Sequence, residues 1–191
     1  MSKEHTKRTK KLGSWGALRR DLAACDKLVL LALIKDLYES SASNRDFIQA
    51  RCQGGESGGE ILEQYRGKIV EQFYPARGEA KLKLGEARKA INDYRKATGN
   101  LPGTTELLLT YVEQGAQFTY DYGDIDGRFY DSVESALDEL ATLLRNEARG
   151  VYPHVSERLA RVEQITDGIG WGFHDYIGDV VASLEDELGD Q

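Results

Sequence analysis

The chain has 191 residues, of which 40% are hydrophobic and 30% are charged, a composition that supports a packed core and excludes wholesale disorder. Its net charge is −7, and its longest uninterrupted apolar run, residues 28–34, is much shorter than the roughly 20 residues of a membrane-spanning helix. Its two cysteines, Cys25 and Cys52, are too few for a disulfide framework, and we expect each of them to be a buried thiol.

The N-terminal segment is basic, with a net charge of +6 over residues 1–20. No secretory signal is recognisable there, since the apolar stretch starts late and lacks a small-residue cleavage site. We therefore expect a cytoplasmic protein that does not enter a membrane. The composition predicts a disordered basic tail over residues 1–13, followed by a single helical domain over residues 14–189.

Helical spacing of apolar residues dominates the first part of the chain. Ser14, Asp26 and Asn44 are each placed to cap a helix at its N-terminus. The helix after Asp26 is the most apolar, and we expect it to bury its apolar stripe against neighbouring helices. That stripe comprises Leu30, Leu31, Leu33, Ile34, Leu37 and Tyr38.

The middle of the chain is divided by glycine and proline. Four glycines between residues 53 and 59 predict a loop, and Pro75 ends the helix that follows it. A further helix is predicted over residues 79–98, with Gly99 just beyond its C-terminus. Thr104 or Thr105 is expected to cap the next helix.

The C-terminal part continues the helical pattern. The long helix after Thr104 is expected to bury Tyr122, and Asp131 with Glu134 resembles a capping box that opens the following helix. Gly168, Gly170 and Gly172 predict a break between the last two helices. No segment shows the two-residue alternation of a strand.

These elements add up to an all-α protein with eight or nine antiparallel helices. Most predicted loops are short, which favours antiparallel neighbours. Two architectures fit this pattern, a compact bundle and a short stack of helical hairpins. No repeated sequence motif favours the stack.

Four motifs resemble those of a family of small, mostly bacterial, all-helical proteins classed as a domain of unknown function. The resemblance covers residues 18–188 and implies a cytosolic helical domain, but it transfers no catalytic residue and no cofactor. The motifs are LYxxSxxNRxFIxAR at 37–51, FYPxRGxxKL at 73–82, YGDIDxxFYDS at 122–132 and GIGWGFHD at 168–175.

An acidic turn over residues 120–127 invites comparison with a calcium-binding loop, because Asp121, Asp124 and Asp126 crowd around two glycines. With Gly127 at the sixth position of an EF-hand loop, however, Tyr122 and Val133 fall at the first and twelfth positions, where acidic ligands are needed. The alternative is a tight turn between helices, with Asp126 or Asp131 capping the second one. We predict neither a metal site nor a cofactor.

His174 and Asp175 form a second polar candidate, an acid/base pair near the last glycines. Adjacent residues on a helix point about 100° apart, so these two side chains are not expected to face each other. We expect the flanking Trp171 and Phe173 to lie in the core.

Basic side chains recur along one helix and the segment before it. Arg77, Lys81, Arg88 and Arg95 form a stripe that either contacts phosphates or pairs with the acidic helices that follow. No phosphate-binding loop or RNA-binding signature accompanies this stripe.

Arg45 and Arg51 also lie close together in sequence, on the short helix that contains Phe47. Arginine favours bidentate contacts with carboxylates, so ion pairs with an acidic helix are the main interpretation. A bound anion is the alternative.

Three functional hypotheses remain open. The first is a non-enzymatic interaction or scaffold module that binds another protein. The second is a nucleic-acid-associated protein that uses the basic N-terminal segment and the stripe over residues 77–96. The third is a metal-dependent or small-molecule enzyme built around Asp121, Asp124, Asp126 and His174.

Overall fold

The computed structural model describes residues 14–53 and 58–189, so the predicted tail over 1–13 and most of the glycine loop lie outside it. Over those two ranges every regular element is a helix and no strand occurs, which confirms the all-α prediction. The α-helices are α1 (Trp15–Ala23), α2 (Lys27–Ser40), α3 (Ala42–Gln53), α4 (Gly58–Phe73), α5 (Leu84–Thr98), α6 (Leu101–Tyr122), α7 (Gly127–Arg145), α8 (Tyr152–Ile165) and α9 (Phe173–Leu188), with a 3-10 helix at Arg149–Val151.

Contacts divide the chain into two compact units at residues 46 and 47, within α3. The first unit contains α1, α2 and the start of α3. Asp26 caps α2 as predicted, because its carboxylate accepts a hydrogen bond of 3.0 Å from the amide of Val29. No described residue of this unit is buried.

The cap of α3 differs from the prediction. Ser41 takes this role, since its hydroxyl accepts a 3.1 Å hydrogen bond from the amide of Asn44. Asn44 itself lies inside the helix, and its side-chain amide donates to the carbonyl of Leu37 at 3.1 Å. The predicted cap therefore joins the start of α3 to the end of α2.

The second unit is a helical bundle arranged around α6. This helix packs against α4, α5, α7 and α8, while α9 packs against α7 and α8. Its central position explains why thirteen of its residues are buried. Among the architectures predicted, these contacts correspond to the bundle.

Aromatic rings fill the core where α4, α6 and α7 meet. Phe73 lies 5.4 Å from Tyr111, 6.2 Å from Phe118 and 6.4 Å from Phe129 between ring centroids, each in an edge-on arrangement. Edge-to-face packing is the geometry that aromatic quadrupoles favour. Gly115 lets α7 approach α6 closely, because a Cβ atom there would lie 2.6 Å from Cγ2 of Val133.

Two helix starts in the second unit were predicted wrongly. The α5 helix begins at Leu84, and residues 79–83 are not helical. Asn100 caps α6 by accepting a hydrogen bond of 2.9 Å from the amide of Gly103. The α6 helix begins earlier than predicted, because Pro102 fits the first turn of a helix, where its missing N–H costs nothing. Thr104 and Thr105 consequently lie buried inside it.

Candidate interaction surface

The basic stripe predicted from the sequence is engaged by acidic side chains of the same unit. Arg88 and Arg95 both donate to Glu139 of α7, at 2.7 Å and 3.2 Å. Lys81 lies 2.5 Å from the carboxylate of Glu71. Arg77 precedes α5 and is exposed. Arg88 and Arg95 thus pair with an acidic helix that follows, which is one of the two alternatives that the spacing left open, whereas Lys81 pairs with the preceding helix α4.

The two arginines of α3 lie in different units. The guanidinium of Arg45 lies over the ring of Tyr38, 5.5 Å from its centroid, a cation–π arrangement within the first unit. Arg51 belongs to the second unit and donates to the carbonyl of Ala97 at 3.4 Å. Arg45 therefore contacts a ring of its own unit, and Arg51 contacts the C-terminal end of α5.

The carboxylates of the acidic turn accept hydrogen bonds from the chain itself. Asp121 accepts from the hydroxyl of Tyr74 at 2.7 Å and from the amide of Gln117 at 2.8 Å. Burial raises the pKa of the Tyr74 hydroxyl, and the hydrogen bond to Asp121 raises it further. Asp124 accepts from the hydroxyl of Tyr130 at 3.0 Å. These hydrogen bonds join Tyr74, the first residue after α4, to α6, and Tyr130 of α7 to the turn.

Asp126, the third carboxylate of the turn, caps α7. It accepts a 2.8 Å hydrogen bond from the amide of Phe129, whereas Asp131 and Glu134 lie within the helix, so the predicted capping box at these two residues is wrong. The positive φ of Gly123, 84°, which glycine adopts without steric cost, allows the chain to leave α6 just before this cap.

We expect Asp126→Ala to lower the free energy of unfolding by about 1 kcal/mol, because the first turn of α7 loses a hydrogen-bond acceptor. Asp131→Ala is the matched control and is expected to change stability by less than about 0.5 kcal/mol, since Asp131 is exposed in the second turn of α7 and caps nothing. Urea denaturation of both variants measures the difference. Equal effects of the two substitutions would contradict the assignment of the cap.

The second polar candidate does not form an acid/base pair. Nδ1 of His174 lies 3.2 Å from the hydroxyl of Thr166, and Asp175 is exposed in the first turn of α9.

Phe173 is buried as predicted, but Trp171 is 73% exposed, which corrects the expectation that both belong to the core. Trp171 has a φ of 64° in the turn before α9, where the glycines break the helix as predicted. In the described part of the chain, no three His, Cys, Asp or Glu side chains are grouped so that they could hold a metal ion.

A network of ion pairs joins α4, α6 and α8, and sequence reasoning did not find it. Arg158 of α8 donates to Glu106 at 2.7 Å and to Glu113 at 2.6 and 2.7 Å, and Arg66 of α4 donates to Glu106 at 2.9 Å. Burial disfavours the ionised carboxyl of Glu106, but the hydrogen bonds and charges of Arg158 and Arg66 outweigh this and lower its pKa. The seven-residue spacing of Glu106 and Glu113 shows from sequence that both lie on the same face of α6. Their arginine partners are not recognisable from sequence, because they come from α4 and α8.

The first unit carries the largest departure from expectation. Every helix of the second unit from α5 to α9 buries apolar side chains, but neither α1 nor α2 buries any. The exposed apolar side chains are between 41% and 77% exposed. They are Trp15, Leu18, Leu28, Val29, Leu31, Leu33, Ile34 and Leu37, and we call them the first-unit apolar set.

The sequence of α2 makes this exposure costly. Residues 28–34 are consecutive apolar residues over nearly two turns, so every side of the helix is apolar there. A helix with this pattern is normally buried in a core. The predicted burial of the α2 stripe is therefore wrong. Leu30 and Tyr38 are half-buried, and the other four residues of the stripe, Leu31, Leu33, Ile34 and Leu37, are exposed.

Three further expectations about side-chain burial need correction. Tyr122 is 66% exposed at the end of α6, although it was predicted to be buried. Cys52 is exposed and Cys25 is half-buried, so neither is a core thiol.

Comparison with known proteins finds no matching family model, no matching curated protein and no matching solved structure. The family resemblance carried by the four sequence motifs therefore remains a prediction. None of the helices in the described residues is both long enough and apolar enough to cross a membrane.

Proposed function

We propose that this chain is a non-enzymatic protein-interaction module and that α1 and α2 form the element that contacts the partner. The observation that carries the proposal is an apolar helix, α2, with no buried side chain. Monomeric proteins rarely expose contiguous apolar patches of more than a few hundred Å² unless the patch binds something. The second unit has a core of its own, to which α4 to α9 all contribute apolar side chains.

The first-unit apolar set has the composition of a protein-binding site. Leucine, isoleucine, valine and tryptophan provide apolar contact area, and Arg19, Arg20, Asp36 and Glu39 provide polar positions on the same helices. A buried apolar centre with a polar rim is the usual arrangement of protein interfaces. A helix packing against α2 is the partner element that fits this surface best.

The other two hypotheses receive less support from the contacts. Arg88, Arg95 and Lys81 already pair with carboxylates, so a nucleic acid would have to compete with internal ion pairs for them. The aspartates proposed for an enzyme accept hydrogen bonds from tyrosine hydroxyls and a helix N-terminus. Both arrangements are typical of structural roles.

A photo-crosslinking amino acid in place of Leu31 tests the proposal in cells. Leu31 is 50% exposed on α2, and Tyr120, which is 63% exposed on α6, is the matched control position. We expect a protein adduct of discrete mass from position 31 that is absent from position 120. The adduct should also disappear when Leu33→Asp and Leu37→Asp are added to the same chain. No adduct from position 31, or adducts to lipid alone, would overturn the proposal.

A further inference from the structure

A pocket in the second unit is lined by side chains that the proposed function does not use. We propose that this pocket binds an organic cation through a quaternary ammonium group. It lies between the segment that follows α4 and the C-terminal end of α6, and it shares no residue with the first-unit apolar set. Its lining includes Phe73, Tyr74, Pro75, Glu79, Ala80 and Tyr122.

The backbone after α4 folds back to form one wall of the pocket. The amides of Lys81 and Leu82 both donate to the carbonyl of Gln72, at 3.0 and 2.9 Å, which closes the intervening segment against the end of α4. Gly78 and Leu82 have positive φ angles of 81° and 45°. For leucine this conformation is strained, and it persists only where the surrounding structure holds it in place. The wall is therefore preformed.

Two tyrosine rings line the pocket. The ring centroids of Tyr74 and Tyr122 are 6.5 Å apart, and the ring planes are tilted by 36°. At that separation a cation can lie within about 6 Å of both centroids, the distance within which an aromatic ring attracts positive charge. The ring of Tyr122 packs on Phe118, with 4.6 Å between centroids, although 66% of Tyr122 is exposed. The two rings are therefore held in place and are open to a ligand.

Negative charge accompanies the rings. Asp121 accepts the hydrogen bond of the Tyr74 hydroxyl at 2.7 Å, and a phenol that donates to a carboxylate has a ring richer in electrons. Glu79 lines the pocket, and no basic side chain of the described residues pairs with it. Arg77 and Lys81, the basic residues nearest to Glu79 in sequence, do not line the pocket. A carboxylate and electron-rich rings favour a positively charged ligand.

The lining also determines which kind of cation fits. A primary ammonium or a guanidinium group has several N–H donors that need acceptors. Of the described residues that line the pocket, Glu79 alone carries a carboxylate, and the others are phenylalanine, tyrosine, proline, glycine and alanine. A quaternary ammonium group has no N–H donor to satisfy, and its methyl groups pack against aromatic and apolar side chains. This group therefore matches the lining best.

Titration of the full chain with choline, followed by amide NMR, tests the inference. We expect saturable shifts in the signals of residues 73–82 and 118–123. The control ligand is the neutral isostere of choline in which carbon replaces nitrogen, and it should bind at least about 5-fold more weakly because it lacks the charge. Equal binding of the two ligands, or no saturable shift with choline, would overturn the proposal.

Substitutions at residue 122 test the contribution of the ring. Tyr122→Leu should weaken choline binding at least about 3-fold, because leucine is apolar but has no ring. Tyr122→Phe keeps the ring and should bind choline within about 2-fold of the wild-type chain. Tyr120→Leu is the matched control, since Tyr120 is 63% exposed and does not line the pocket, and it should not alter binding. Unchanged binding by Tyr122→Leu would overturn the site.

Glu79→Gln tests the contribution of charge. It should weaken the binding of choline about 3-fold and leave the binding of the neutral isostere unchanged. Because Glu79 and Tyr122 are exposed, circular dichroism should show unchanged helix content in each variant. Equal effects of Glu79→Gln on both ligands would contradict the role of its carboxylate.

A peptide that contains trimethyllysine distinguishes two sources of the quaternary ammonium group. Tighter binding of the peptide than of choline would identify a protein side chain as the source, and tighter binding of choline would identify a small molecule. Either result supports the site, provided that Tyr122→Leu weakens the binding of the tighter ligand. A peptide and a choline molecule that both bind Tyr122→Leu as well as the wild-type chain would place their binding elsewhere and overturn the proposal.

Discussion

Gly103→Ala is expected to destabilise the second unit by about 2 kcal/mol, although alanine is normally the better helix former. A Cβ atom at residue 103 would overlap Oη of Tyr94 and lie 2.7 Å from its Cζ. Tyr94 is 1% exposed and packs edge-on against Tyr65, with 5.5 Å between ring centroids. Its ring has no room to move, so the clash outweighs the gain in helix propensity.

Gly67→Ala is the matched control for this prediction. Gly67 lies on the exposed side of α4, and nothing would lie within 4 Å of an added Cβ atom. This substitution should raise the free energy of unfolding by about 0.5–1 kcal/mol, because alanine loses less backbone entropy on folding. Urea denaturation of the two variants measures opposite shifts in midpoint. A stabilised Gly103→Ala variant would show that Tyr94 does not pack against α6 as described.

Arg158→Met is the second substitution with a large expected effect, a loss of about 2–3 kcal/mol at neutral pH. It would leave Glu106 and Glu113 without their main partner, and the side chains of these glutamates are only 21% and 27% exposed. Glu106 would retain Arg66, which limits the loss. Arg161→Met is the control, because Arg161 is exposed on the same helix, and it should change stability by less than about 0.5 kcal/mol. Equal losses in the two variants would contradict the network.

The network also predicts how stability depends on pH. The pKa of Glu106 is lower in the folded chain than its ordinary value of 4.5, so its contribution is complete above that value. The contribution is lost as the pH falls through the lowered pKa. Glu106→Gln should therefore be less stable than the wild-type chain at pH 7, and this difference should shrink as the pH falls below 4.5. A difference that stays constant with pH would show that Glu106 is not ionised in the network.

Local signals in the sequence predicted most helices but misplaced several of their ends. Asp26, Pro75 and Gly99 act where they were expected to, because a cap, a missing N–H and a left-handed glycine depend on a few neighbouring residues. Thr104 failed as a cap because Asn100 and Pro102 provided an earlier start for α6. Competing caps within one turn are difficult to rank from sequence, because each of them is worth only about 1 kcal/mol.

The candidate site was harder to predict than the helices. The sequence showed that α2 is apolar, and it showed which residues form its stripe. It did not show that this stripe would stay exposed among the described residues, because apolar periodicity reports a preference for burial and not the presence of a partner. The arginine–glutamate pairs were equally hidden, since residues 106 and 158 meet only when α6 packs against α8.

The sequence by itself determined the all-α class, the division into helices and the apolar character of α2, because these follow from side-chain spacing and contacts between near neighbours. Only the tertiary structure decided which apolar faces became core and which arginines became partners of glutamates. The physical reason is that burial and ion pairing depend on which helices are brought together, and the described chain brings α4 to α9 together around α6 while the apolar side chains of α1 and α2 remain exposed.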